Sequence, residues 1–272
     1  MENNTDALSE NGMTVCEGFS RIPARLENHI VIININEKLP VIVDEIFNGW
    51  RHDTYADIVV FVQDQTLWDS NPRWHPKVKS PHRLFVVQGC PGNTDQLKCT
   101  GVDTCRTAVI LADPSQGRLS DAKGTLIALA IEQVSPDVHT VIEVVSSGHR
   151  VHLKGTEVNE AVCMGELTEA LLAQNVISPG VLKTVEELMA IHNNAPGFML
   201  KEIPEAMVGM TYREAVLKSI EEGSSFVICG YEKNAREANG MLLIHHPTVN
   251  PTGALKDTVL CETDAFVVLD MD

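Results

Sequence analysis

The chain is short of positive charge. Its 21 Lys and Arg stand against 37 Asp and Glu, a formal net charge of −16. That argues against a nucleic-acid partner, because phosphate binding needs clustered Lys and Arg. The surplus carboxylate is compatible with a cation-handling surface, and ordinary solubility explains it as well. Aromatic residues make up only 5% of the chain, within a hydrophobic share of 44% and a charged share of 21%, an ordinary globular balance. The seven cysteines, Cys16, Cys90, Cys99, Cys105, Cys163, Cys229 and Cys261, are odd in number, scattered and without a C-x-x-C pair. They read as buried thiols of a reducing compartment rather than disulfides or a structural zinc site. No apolar run approaches the ~20 residues that cross a bilayer, and the polar, acidic N-terminus does not read as a signal peptide. The expectation is a soluble, cytoplasmic chain with room for one large or two modest domains. G-x-S-x-G, Walker A, H-E-x-x-H and Tyr-x-x-x-Lys are all missing, so no catalytic constellation is read and an enzyme is not expected.

What is present is organised around His29-Ile30-Val31-Ile32-Ile33-Asn34-Ile35-Asn36, running into Glu37 to Asn48. The continuous β-branched run Ile30 to Ile33 predicts a parallel strand buried on both faces. Leu39, Ile42, Val43, Ile46 and Phe47 form one stripe at helical spacing. Pro40 fits only in the first turn, and Gly49 is a plausible stop. This is the opening unit of a doubly wound sheet, whose first strand tip is where such folds place a ligand. A dinucleotide site needs glycines there, because phosphate approaches the backbone only where side chains are absent. The three glycine positions hold Asn34, Asn36 and Leu39. Asparagine tolerates the left-handed conformation, so the turn keeps its shape while losing its phosphate cradle.

Residues 1–26 read as a flexible tail or linker. Further strands are expected at Ala56 to Val62, Leu84 to Gln88, Thr107 to Leu111 and His139 to Val145. A proline-containing insertion, Gln65 to His82, replaces or decorates a helix. A short helix capped by Asn93 or Thr94, one capped by Ser120, and one over about Asn159 to Ala173 complete the alternation, which means a parallel α/β sheet. Val176-Ile177 closes the lobe. After Ser178-Pro179 the stripe Val181, Val185, Leu188, Met189 and His192 predicts a helix stopped at Asn193 to Gly197. A small α+β lobe follows, with a capping box at Thr211 and Glu214, a helix ending at Gly223, and strands at Phe226 to Tyr231, Met241 to His245 and Ala265 to Asp270.

This order of parts resembles the RCK family, the regulator-of-potassium-conductance domains of ligand-gated potassium channels and the related Trk/Ktr transport regulators. The resemblance rests on His29-Ile30-Val31-Ile32, on Val87-Gln88-Gly89-Cys90-Pro91-Gly92 with Gln96-Leu97 and Gly101-Val102-Asp103, on Arg106 to Asp113, and on Val176-Ile177-Ser178-Pro179. The insertion after Asp64 is more like the channel members. The resemblance implies a Rossmann-like N-lobe over 27–177, a crossover and dimerisation helix region over 178–197, and a C-lobe over 198–272. It implies a cytoplasmic gating-ring domain at the inner face of the membrane. There it would couple a small ligand or cation to a potassium pore domain. The partners would be a second copy through the crossover helix, in a tetrameric or octameric ring, and the pore, with no nucleic acid. A Trk/Ktr-type regulatory subunit is the alternative, and an NAD-dependent oxidoreductase a third reading.

The same resemblance points to a cofactor position at Asn34, Asn36 and Asp64, with Asp113 at the neighbouring strand end, and to a metal position at Asp113 and Glu143. Ca²⁺ or another cation is the first expectation. NAD or an adenine nucleotide comes second, because the glycine fingerprint is absent. The position two residues after Glu143 holds Val145, which breaks a carboxylate pair on one face. The competing readings are a solvated strand-end Asp64 and a buried Glu143 paired with a neighbouring base. His149-Arg150-Val151-His152 and His245-His246 have no Cys or carboxylate at ligand spacing and are not expected to hold a metal.

Overall fold

The computed structural model describes residues 14–16, 22–23, 26–50, 55–156, 158–189, 197–238, 241–243 and 247–270. The chain divides into two compact units, 1–170 and 171–272, the boundary falling inside a helix that the sequence reading had placed wholly in the first.

The first unit holds, in order, β1 (Thr14–Cys16), β2 (Ile30–Ile33), α1 (Leu39–Gly49), β3 (Asp57–Val62), α2 (Gln65–Ser70), β4 (Arg83–Gln88), α3 (Thr94–Cys99), β5 (Thr107–Ile110), α4 (Ser120–Val134), β6 (His139–Val144), β7 (Glu160–Cys163) and the start of α5 (Met164–Ile177). All seven strands are parallel, in the order β1-β4-β3-β2-β5-β6-β7. The sheet buries both faces, which is why β2 is apolar without alternation. Val31 and Ile33 face a core shared with Leu97 of α3 and Ile127, Ala128 and Ile131 of α4. Ile30 and Ile32 face the opposite core, with Leu39, Val43 and Phe47 of α1 and Trp68 of α2. Each of these fully buried aliphatic side chains contributes about 1.5–3 kcal/mol.

Pro40 sits in the first turn of α1 as expected, and the helix runs on through Gly49 to cap at Trp50. The insertion is α2 followed by a short 3-10 turn, Pro72–Trp74, in place of a longer helix. The Trp68 indole stacks on His75 at 4.0 Å, and Phe47 stacks on His82 at 4.5 Å, fixing the insertion against α1. At the base of β2, Gly101 has φ +73°, and a Cβ there would lie 2.8 Å from the buried His29 ring, so only glycine fits beneath it.

Three expectations are corrected. The region read as a tail contributes β1, which pairs with Phe85, Val86 and Val87 of β4. The helix expected over about Asn159 to Ala173 is strand β7 followed by α5, which runs on through Val176-Ile177. Ser120 does not cap α4; its hydroxyl accepts from Asp113 N at 2.9 Å instead.

The second unit holds the rest of α5, α6 (Val181–Met189), β8 (Gly197–Glu202), α7 (Tyr212–Glu221), β9 (Phe226–Glu232), β10 (Arg236–Ala238), β11 (Met241–Leu243), β12 (Thr248–Val249) and β13 (Ala265–Asp270). Its four-stranded antiparallel sheet has the order β12-β9-β13-β8. Thr211 and Glu214 form the reciprocal capping box of α7, and Ile203, Met207, Tyr212, Ala215, Ile228, Phe266 and Val268 pack the core. The expected helix stop at 193–196, His192 and the pair His245-His246 lie outside the described residues.

Candidate functional site: the strand tips of the parallel sheet

Strand order reverses between β2 and β5, so the chain leaves these two neighbours in opposite directions and opens a crevice at their carboxyl ends. The loops that line it begin at Asn34, Asp64, Asp113 and Val145.

Asn34 has φ +67°, the left-handed conformation anticipated for this asparagine. Its side-chain amide donates to Leu111 O at 3.0 Å. Asn36 donates through Nδ2 to Ala112 O at 3.0 Å and to Glu143 Oε2 at 2.9 Å, and accepts from Lys38 N at 3.0 Å. Glu143 Oε2 also accepts from Ala112 N at 2.9 Å, and Oε1 is ion-paired with Lys38 Nζ. The Glu143 side chain is 11% exposed. Three chain segments, 34–38, 111–113 and 143, are thus tied together by side chains where a dinucleotide fold leaves bare backbone. The oxygen of Asn36 takes one of the first free N–H groups of α1, and the two asparagine side chains fill the space that glycines leave open.

The other predicted positions have local partners. Asp64 is exposed and caps α2, accepting from Thr66 N at 2.8 Å and Leu67 N at 3.4 Å. Asp113 is buried and accepts from Ser115 N at 2.9 Å and Ser115 Oγ at 2.7 Å, while its own N–H reaches Ser120. The structure therefore joins Asn34, Asn36 and Glu143 through one network, and holds Asp64 and Asp113 in separate caps. Among the described residues no group of three or more His, Cys, Asp and Glu side chains is placed to hold a metal ion.

Lys38 and Asp121 were missed in the sequence. Asp121, in the first turn of α4, accepts from Val145 N at 2.8 Å, Ser146 N at 3.0 Å and His149 Nδ1 at 2.6 Å. Burial pushes its carboxyl up, and the hydrogen bonds from Val145 N, His149 and Ser146 N together hold it below the usual carboxylate range. An acidic residue in the first turn of a helix was the available signal. It names no partner 28 residues away.

Fold and site together define a Rossmann-like domain with a rebuilt strand-tip crevice, followed by a helix pair and a small antiparallel lobe. Residues 25–142 match the family described as the calcium-activated potassium channel slowpoke-like RCK domain. Potassium channel subfamily T member 1 of Mus musculus and of Homo sapiens are each 22% identical to the chain over 190 residues, 69% of this chain and 15% of the relative. The chain thus spans a small part of the length of the curated relatives it matches. The structure of the human SLO3 gating ring shares the fold with a TM-score of 0.59 at 14% identity, over 88% of this chain and 44% of that one. No helix among the described residues is long and apolar enough to cross a membrane.

Proposed function

We propose that this chain is a regulatory domain of a potassium-channel gating ring, in which the strand-tip network centred on Glu143 senses a small cation and transmits the change to a pore. The match of residues 25–142 to the slowpoke-like RCK family carries this reading. The local chemistry favours a cation over a nucleotide. The phosphate-facing turn is closed by Asn34 and Asn36, Asp64 is spent as a helix cap, and Glu143 already pairs with an ammonium group. A cation replacing Lys38 would leave the 34–38 loop tied to Glu143 of β6 through Asn36 alone. Gating then follows by population shift, the ligand binding one ring geometry more tightly than the other.

Assembly uses the helices that follow the parallel sheet. The α5 helix has no buried residue, and Leu172, Val176 and Ile177 are exposed along it. Val181, Val185 and Leu188 of α6 are only half-buried. This supports pairing of two copies through α5 and α6, within a tetrameric or octameric ring beside the inner membrane face.

Thermal unfolding of the chain with Ca²⁺, Na⁺, Mg²⁺, NAD(H), ATP, ADP and AMP in parallel tests the sensor. A ligand at 100 times its Kd stabilises the native state by about 2.7 kcal/mol. The expected result is a shift with a cation that Glu143→Gln removes, together with a dimer or larger species at micromolar concentration. A shift with nucleotides alone, or a strict monomer, overturns the reading.

A further inference from the structure

The insertion between β3 and β4 takes no part in the strand-tip network, and its charge sets it apart. From Ser70 to Thr94 the sequence holds Arg73, Lys77, Lys79 and Arg83 and no Asp or Glu, in a chain whose net charge is −16. After the 3-10 turn Pro72–Trp74 this strap runs on to β4 without helix or strand. Trp74 and Val78 pack, half-buried, on the core beneath α1 and α2, and Pro76 between them is buried. Arg73, Lys77 and Lys79 alternate with them and are exposed, as is Arg83. In an extended chain that alternation puts Lys77 and Lys79 on one side, away from the core. The stacks of His75 on Trp68 and of His82 on Phe47 brace the strap, so the cations are presented in a fixed place. Lys79 is ion-paired with Asp44, and Arg83 with Asp57, its guanidinium lying 4.6 Å over the Tyr55 ring. Asp69 of α2 is turned to Gln65. Among the described residues Arg73 and Lys77 make neither hydrogen bond nor ion pair. The strap thus carries two cations beyond those that its neighbouring carboxylates neutralise.

We propose that this strap is a docking surface for an anionic lipid bilayer, with Arg73 and Lys77 meeting headgroup phosphates and the half-exposed Trp74 indole beside them at headgroup level. Charge complementarity carries the proposal, and the indole favours a bilayer over a soluble polyanion, because Trp settles where one side is apolar and the other wet. A plane of phosphates also needs no groove to receive it. Each Lys or Arg held near an anionic leaflet strengthens binding about 5-fold, so the two free cations give about 30-fold. The acidic remainder of the chain opposes the approach only weakly. At physiological salt the screening length is about 8 Å, so carboxylates farther than that from the leaflet are hardly felt, and the orientation with the strap against the surface is selected. For one chain the contact is weak. For several straps presented together it is firm, since every contact after the first is intramolecular. In that respect alone the inference rests on the gating reading, which places a ring beside the inner membrane face.

Co-sedimentation of the whole chain with lipid vesicles tests the proposal. Vesicles of phosphatidylcholine mixed with phosphatidylglycerol are expected to bind it about 30-fold more tightly than phosphatidylcholine alone at physiological salt, and more tightly still at low salt. Arg73→Ala with Lys77→Ala is expected to remove that difference. Both side chains are exposed, so the double variant is expected to keep the native melting temperature. Lys183→Ala with Lys256→Ala removes the same charge from exposed positions elsewhere and is expected to leave vesicle binding unchanged. Equal binding to the two kinds of vesicle overturns the proposal, as does an equal loss in the two double variants, which would make the effect one of net charge. Tighter binding to soluble polyglutamate than to the phosphatidylglycerol vesicles identifies an acidic protein partner and overturns it too. The test uses neither Glu143 nor any sensed cation, so its failure leaves the gating reading standing. A cation response that fails with vesicle binding intact removes the gating reading and leaves the docking surface.

Discussion

β2 and α5 are both rich in Leu, Ile and Val, and they meet opposite fates. Val31, Ile32 and Ile33 are fully buried between two helical layers of their own chain. Val176 and Ile177 at the end of α5 are 84% and 76% exposed. The parallel sheet closes its core within a single chain, whereas α5 holds its apolar side chains out of it. Large exposed apolar surface marks an interaction surface in a soluble protein. The comparison therefore separates a core closed within the chain from a helix whose apolar side chains stay exposed.

The strongest way to break it is in the sheet. Phe61→Ala, which empties a fully buried position of β3, is expected to cost about 3–5 kcal/mol in chemical denaturation; a loss below about 1 kcal/mol would mean the sheet relies on partners as α5 does. The strand-tip network comes next. Glu143→Ala leaves Asn36, Ala112 N and Lys38 without their shared acceptor, at an expected cost of about 2–3 kcal/mol by the same measurement.

Acid sharpens the comparison further, because the sensitive histidines belong to the first unit. Burial lowers the His29 pKa, outweighing the Thr100 carbonyl, Asp57 and Asp103; burial and the nearby Lys79 lower that of His82. His82 also accepts from Ala56 N through Nδ1, which only the neutral ring can do. Both folded values lie below the ordinary 6.5, so the unfolded chain binds more protons in that interval. Stability is fully present above about pH 6.5 and falls as pH drops through the two folded values. Melting temperatures at pH 7.5 and 5.5 check the sign, and His82→Gln is expected to flatten the difference. The smallest effect on folding belongs to α5. Leu172→Ser with Val176→Ser is expected to change the stability of the isolated chain by no more than about 0.5 kcal/mol while weakening self-association in sedimentation. Loss of folding instead would show that α5 is core.

Legibility in the sequence followed range. The unit from Ile30 to Gly49 was readable because periodicity and Pro40 act within a few residues. The Asn34 turn was readable because few residues other than asparagine and glycine accept a positive φ. The fate of Ser120 was not: its hydroxyl was equally suited to cap a helix, and Asp113 N, brought in by the fold, took it. β7 escaped because Glu160-Ala161-Val162-Cys163 is a short sheet-edge strand without an apolar run. At the site, the asparagines and Glu143 were found, but their joining through Lys38 spans 105 residues and depends on the register between β5 and β6, which no local pattern carries.

Lys38 has a kinetic and competitive meaning as well. Its ammonium is tethered to the same folded chain as Glu143, so it is present there at an effective concentration of order millimolar or above, whatever the solution holds. A free cation must outcompete that internal rival before it reaches the carboxylate. On the proposed cation-sensing reading, the threshold of response would be set by the reach of one lysine side chain, and neutralising it with Lys38→Met is expected to retune the sensitivity without touching a ligand oxygen.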